Sequence, residues 1–209
     1  DLLFDFLDEL GQYYEGVFFI DGDLEHDAFD GDFDTSYNSL RDNINGMESV
    51  FFLHENIIIL PNATLLATNG WTTFDFTSNH DINETMDFLE QRENIPTEIA
   101  NKIFKLAITD QHYMYNSIEN CQDLEEVTNL IVVTNSVPDP EFINHNEAYD
   151  STILGDTTGN SGIIDCLTND AKKKVTTWIF GKYPGDIDYE IEGVSFVNNP
   201  GLGKDPDIY

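Results

Sequence analysis

Apolar residues recur every three or four positions at the start of the chain, at Leu3, Phe6, Leu7 and Leu10, which predicts an amphipathic helix that ends by Gly16. Val17-Phe-Phe-Ile20 then forms a continuous apolar run of strand length, and a second helix is predicted near Tyr37 to Ile44. Val50 to Leu53, Asn56 to Leu60 and Ala63 to Ala67 follow as short strands. From Asp81 to about Cys121 the spacing turns helical again, broken at Pro96, which predicts two helices meeting at a kink or short turn. Leu130 to Val133 is apolar at every position, the pattern of a strand covered on both faces. After a long loop through Pro138, Pro140 and Gly155 to Gly162, Val175 to Phe180, Asp188 to Ile191 and Val194 to Val197 predict three closing strands. The mixture of helices and strands, with no Gly/Ser-rich linker and no internal repeat, predicts one α/β domain spanning residues 1–209.

Composition adds a core and a large charge. A chain of 209 residues buries roughly 70% of its unfolded surface as one domain, and 40% hydrophobic with 12% aromatic residues supplies the material. The formal charge of −31, from 40 acids against 9 lysines and arginines, disfavours nucleic acid and anionic membranes as partners, because phosphate contacts need clustered cations. Such an excess fits solubility in a salty setting, or a cationic partner met by imitation of nucleic-acid charge. No apolar stretch approaches the roughly 20 residues that span a bilayer, and no charged n-region with an h-region opens the chain. The expectation is a soluble protein, cytoplasmic or virion-associated.

Candidate chemistry in the residues themselves is sparse. Asp21 to Asp34 holds seven acids, but the sixth and twelfth positions of a calcium loop fall on His26 and Asp32 counting from Asp21, and on Thr35 and Arg41 counting from Asp30. A solvated acidic loop is the plainer reading. His26, His54, His80, His112 and His145 form no H-x-H or H-x-x-x-H pair and read as surface or loop residues, with a reservation for His26, which lies within the acidic stretch directly after Gly22-Asp-Leu-Glu25 and could sit near a cleft there. Cys121 and Cys166 lack C-x-x-C spacing and read as buried thiols. The sequons Asn62-Ala-Thr64 and Asn83-Glu-Thr85 carry little weight without a secretion signal. Ser161 lacks a G-x-S-x-G elbow, and Gly201-Leu-Gly-Lys204 lacks the spacing of a phosphate loop.

The last third of the chain carries the strongest pattern. Trp178-Ile-Phe-Gly-Lys-Tyr-Pro-Gly-Asp186 and Ile191-Glu-Gly-Val-Ser-Phe-Val-Asn-Asn-Pro200 resemble the C-terminal block of calcineurin-like metallophosphoesterases, W-x-F/H-G-H-x-H-G followed by an acidic strand and G-V-x-F-V-x-N-P. Val17-Phe-Phe-Ile-Asp-Gly-Asp-Leu-Glu-His26 resembles the strand ending in G-N-H-E, with Gly22, Asp23, Leu24 and Glu25 at those four places. Thr64-Leu-Leu-Ala-Thr-Asn-Gly-Trp-Thr-Thr-Phe74 resembles the following strand, and Ile131-Val-Val-Thr-Asn-Ser-Val-Pro138 resembles V-V-T-H-x-x-P with Asn135 at the histidine.

The resemblance implies a layered sandwich of two mixed β-sheets flanked by helices. In the family an aspartate bridges two metal ions held by histidines and an asparagine, and a bound hydroxide attacks the clamped phosphoryl group. The family's D-x-H and G-D motifs lie further upstream than the residues before Gly22 reach, so a domain incomplete at its N-terminus is expected. Asp23, Leu24, Asn135, Lys182 and Pro184 all stand where the family has metal ligands of another type. Lys182 brings a fixed positive charge and Pro184 has no donor atom. A vestigial site of Asp23, Glu25 and Asn135 could at most hold Mg²⁺ or Mn²⁺, so no cofactor is expected. The pattern leaves open whether Lys182 pairs with Asp23 or Asp21.

The functional expectation is therefore a catalytically degenerate metallophosphoesterase fold, serving as an acidic binding or structural module for a cationic protein and able to oligomerise through an unpaired sheet edge. The alternative is an active metal-dependent phosphoesterase whose first motifs precede Asp1. A viral or halophilic structural subunit, in which the fold serves as packing, is a third reading.

Overall fold

The computed structural model describes residues 2–75, 81–92, 94–122, 124–143, 157–166, 174–183 and 186–198. Helix α1 (Leu2–Gly11) leads to strand β1 (Val17–Phe19), a 3-10 helix (Leu24–Phe29), α2 (Phe33–Ile44), and strands β2 (Val50–Phe52), β3 (Asn56–Ile59) and β4 (Thr64–Thr68). Helices α3 (Ile82–Arg92) and α4 (Thr97–Gln122) precede β5 (Leu130–Thr134), two short 3-10 helices (Pro140–Phe142 and Ser161–Cys166), β6 (Val175–Phe180), β7 (Ile187–Ile191) and β8 (Val194–Asn198). The class is α/β, and the described residues form one sheet of two strands and one of six.

Local chemistry sets the helix boundaries. Asp32 caps α2 by accepting the Thr35 amide at 3.2 Å. Asp81 and Glu84 form a capping box on α3: Asp81 Oδ1 accepts the amides of Asn83 and Glu84, and Glu84 reaches back to the Asp81 amide. Pro96 starts α4, its carbonyl accepting from Ile99 and Ala100. Helix α1 stops at Gly11 and not at Gly16, because Gln12 to Tyr14 turn back onto the Glu9 and Leu10 carbonyls. Its apolar stripe is incompletely used, with Leu7 buried and Phe6 57% exposed.

In the large sheet the order is β3-β4-β5-β6-β8-β7. Strands β4, β5, β6 and β8 run parallel, while β3 and β7 close the two sides antiparallel. Helices α3 and α4 provide the crossover from β4 to β5 that parallel pairing demands. The sheet's two faces differ in cover. On one, Leu66, Val132, Trp178 and Phe196 are buried against Met114 and Ile118 of α4. On the other, Leu65, Ala67, Ile131 and Val133 pack with Ile20 and Leu53, the residues that follow β1 and β2 in the small parallel sheet. That cover is partial. Leu130, Val132 and Thr134 are buried but Ile131 and Val133 only half so, and Ile179 on the same face is 41% exposed. The apolar run Leu130 to Val133 of β5 is thus sealed on one face and half-covered on the other, where its sequence predicts cover on both.

The small sheet rests its other face on α1 and α2, through Val17, Phe19, Val50 and Phe52 against Leu7 and Ile44. Phe18 and Phe51 stack with ring centroids 5.6 Å apart on the side shared with Ile20 and Leu53. The two faces of the large sheet should respond unequally to truncation. Leu66→Ala is expected to cost about 2–5 kcal/mol and Ile179→Ala no more than about 1 kcal/mol, measured by urea denaturation; equal costs would contradict the asymmetric cover.

Candidate functional site

Parallel strands β4, β5 and β6 end at the same edge of the large sheet, and their last peptides are laced together. The Asn69 carbonyl accepts the amides of Asn135 and Ser136, and the Gly181 amide donates to the carbonyls of Thr134 and Asn135. The chain leaving β1 reaches the same edge, because Asn69 Nδ2 donates to the Asp21 carbonyl at 3.2 Å. Crevices at the carboxyl ends of parallel strands are the usual ligand sites of α/β proteins. Here three groups of polar side chains gather.

The first surrounds Asp21, which is completely buried. Its Oδ2 accepts from Asn69 Nδ2 at 2.9 Å and lies 2.9 Å from His26 Nε2. The other ring nitrogen of His26 lies 2.7 Å from Ser36 Oγ. Asp21 Oδ1 faces His54 Nδ1 at 3.9 Å, beyond hydrogen-bond distance. Aromatic rings close around the group: Tyr37 stacks on His54 at 3.8 Å, and Trp71 donates its indole N–H to the Tyr37 hydroxyl at 2.8 Å. Burial holds the His54 imidazole below its ordinary pKa, against the opposing pull of the Asp21 charge. Burial, with the Asp21 charge second, drives the Tyr37 phenol far above its ordinary range.

The second group contains the vestigial positions. Lys182 Nζ lies 2.5 Å from Asp23 Oδ2, and Asn135 Nδ2 donates to Asp23 Oδ1 over a long 3.5 Å. Glu25 lies beside them and accepts the Gly22 amide at 2.8 Å. Two glycines allow this closeness. A Cβ on Gly22 would sit 3.1 Å from Glu25 Oε2, and one on Gly181 would sit 3.1 Å from the Asn135 carbonyl. Lys182 itself has φ of 57°, the left-handed region that a side chain adopts at a cost. Strain of this kind concentrates at sites where neighbouring structure over-determines the backbone.

The third group is Asp110 of α4, 2% exposed, which accepts the Thr68 hydroxyl and the amides of Gly70 and Trp71. It pins the exit from β4. Burial pushes its carboxyl up to about 7 against the opposing pull of those hydrogen bonds, and the nearby Asp21 charge adds to the rise.

Of the positions singled out by sequence, the structure brings Asp23, Asn135 and Lys182 together, places Glu25 beside them on the Gly22 amide, and leaves Leu24 79% exposed to solvent. Pro184 lies outside the described residues, as do His80, His145 and Gly201 to Lys204. Lys182 pairs with Asp23, while Asp21 is taken by His26 and Asn69. Two expectations need correction. The acidic stretch is not wholly solvated, since Asp21 is buried as part of a hydrogen-bonded network. His26 is not a surface residue either, being 4% exposed, and His54 is half-buried beside it; His112 is exposed, as expected. Cys121 is a buried thiol, and burial pushes its pKa up.

Asp21, Asn69 and Asp110 were missed as site residues. Asp110 had a signal: it interrupts the apolar stripe Ala107, Met114, Ile118, Cys121 of α4 at helical spacing, and an acid there needs buried partners. Among the described residues no three His, Cys, Asp or Glu side chains are gathered as a metal cradle.

The fold and this centre define an α/β protein with a polar cluster at the ends of parallel strands. No protein-family model, no curated protein and no solved structure matches the chain.

The raised Asp110 pKa fixes a pH dependence. Unfolded, the group titrates near 3.8, and folded near 7, so the native state binds the extra proton between these values. Its stabilisation is full below pH 3.8 and is lost as the pH rises through about 7. Asp110→Asn keeps an oxygen for the Gly70 and Trp71 amides, so denaturation across pH 4–8 should show the variant gaining on the parent as pH increases; a constant gap would contradict the assignment. At Lys182, glycine relieves the backbone and alanine does not. Lys182→Gly is therefore expected to be about 1 kcal/mol more stable than Lys182→Ala, checked by thermal denaturation of the pair.

Proposed function

We propose that this chain is a metallophosphoesterase-like module in which an ion pair has replaced the metal centre, and that it works by binding and not by catalysis. The observation carrying this reading is the 2.5 Å contact of Lys182 Nζ with Asp23 Oδ2. Asp23 and Lys182 stand at two family ligand positions far apart in sequence, and they meet in space with Asn135, a third. A lysine ammonium placed there supplies the positive charge that a cation would, without any exchangeable coordination site.

The side chains present do not fit a binuclear cation pair. Asp23 is engaged by a fixed cation, and Asn135 directs its amide at that same carboxylate. His26 has both ring nitrogens occupied, by Asp21 and Ser36. Asp21 Oδ1 faces the His54 imidazole, whose charged form burial disfavours. No hydrolytic step is derived from such a set. What remains is an acidic surface on a packed scaffold. With a formal charge of −31 it attracts a cationic protein at long range, raises the encounter rate, and repels nucleic acid.

Calorimetric titration of the purified chain with Mn²⁺ at moderate salt, with Ca²⁺ as the control, tests the reading. Weak binding that is the same for both ions is expected, as for loose association with surface carboxylates. Two tight Mn²⁺-selective sites would overturn it in favour of an active phosphoesterase.

A further inference from the structure

Beside the strand ends lies a cavity of about 340 Å³, bounded by the 3-10 helix Leu24–Phe29, the start of α2, the exit of β4, and helices α3 and α4. Its volume falls in the ~300–1,000 Å³ range of small-molecule sites. Its walls are mainly apolar, with aromatic rings from Phe33, Trp71, Phe74 and Phe88 and aliphatic side chains of α4. Phe33 meets Trp71 edge-on at 5.2 Å, and the Trp71 indole N–H is already spent on Tyr37. The deeper wall therefore offers ring surface with little hydrogen-bonding demand.

Its mouth has the opposite character. Asp27 and Asp30 line it, both exposed, and neither has an ion-pair partner among the described residues. Lys182 and Asp23 also line the cavity, paired with each other, and Lys102 close by is engaged by Glu98 and the Gly31 carbonyl. The acidic turn is also held in place. Asp30 and Gly31 have φ of 49° and 76°, and Gly31 approaches α4 so closely that a Cβ there would lie 2.9 Å from Ile99.

We propose that this cavity binds a small organic ammonium ion carried on an aromatic or aliphatic body. The body fills the ring-lined interior, and the ammonium stays at the mouth between Asp27 and Asp30, where carboxylates and the faces of aromatic rings both favour a cation. The same arrangement disfavours anions, phosphate esters included, because among the described residues no unpaired cation lines the cavity and the whole molecule is strongly negative. The proposal rests on the Lys182–Asp23 pair, which lines the same cavity, and not on that pair having replaced a metal centre.

The test uses the intact chain, three probes of similar shape, and fluorescence of the Trp71 indole in the cavity wall. The probes are phenethylammonium, neutral 2-phenylethanol and anionic 3-phenylpropanoate, at moderate salt. Phenethylammonium is expected to bind at least tenfold tighter than the alcohol, and the carboxylate to bind weakest. The double substitution Asp27→Asn and Asp30→Asn, at exposed positions, should erase the preference for the ammonium while leaving alcohol binding unchanged. Phe88→Ala should weaken both. Equal affinity for ammonium and alcohol would overturn the proposal, as would no binding of any probe. A preference that survives the double substitution would also overturn it, since the cation would then be held elsewhere on the acidic surface.

Discussion

A carboxylate removed from solvent is the constraint around which this structure is arranged. Asp21 emerges from β1 into a completely buried position, where an unpaired charge would be prohibitive. The cost is met by His26 and Asn69 on one oxygen, and those partners come from two other parts of the fold, the 3-10 helix and the end of β4. Satisfying Asp21 therefore fixes where the chain after β1 docks on the large sheet. His26 in turn lies against Tyr37 and Trp71, so the aromatic packing that joins α2 to β4 is built on the same group. On the far side of that exit, Asp110 holds the Gly70 and Trp71 amides from α4. Two buried acids thus clamp one strand end from opposite sides.

The pairing of Lys182 with Asp23 follows from that docking. Once β1 exits over β4, Asp23 lies within reach of β5 and β6, and a lysine on the first residues after β6 meets it. The pair is partly exposed, with side-chain exposures of 22% and 39%, so its direct contribution to stability is small. Its importance is positional. It brings together chain segments that have no covalent proximity, and it occupies with a fixed charge the place where the proposed ancestry would put a mobile one.

Apart from the buried Asp21 and Asp110, acids and aromatic rings come together at one place. Near the strand ends, acids and rings line a common cavity. Elsewhere the excess charge is a general property, which sets solubility and long-range attraction but chooses no ligand. In the cavity it is combined with shape, and shape is what converts a negative field into selectivity between cations.

Much of the secondary structure was legible in order and kind, because period two and period three-to-four patterns report which face of an element meets the core. The break at Pro96 and the strand at Val175–Phe180 are examples, since both follow from local stereochemistry. The clustering of Asp23, Asn135 and Lys182 was suggested by motif frame and not by periodicity. By itself the sequence determined the elements, the α/β class, the −31 charge and the absence of an apolar stretch long enough to span a bilayer. Only the tertiary structure decided which acids are buried, which residue Lys182 meets, and that β5 is half-covered on one face. The physical reason is separation: Asp21 and Asn69 are 48 positions apart, and Asp23 and Asn135 are 112 apart. A polar group's burial depends on partners that distant, which no local pattern of hydrophobic and polar positions encodes.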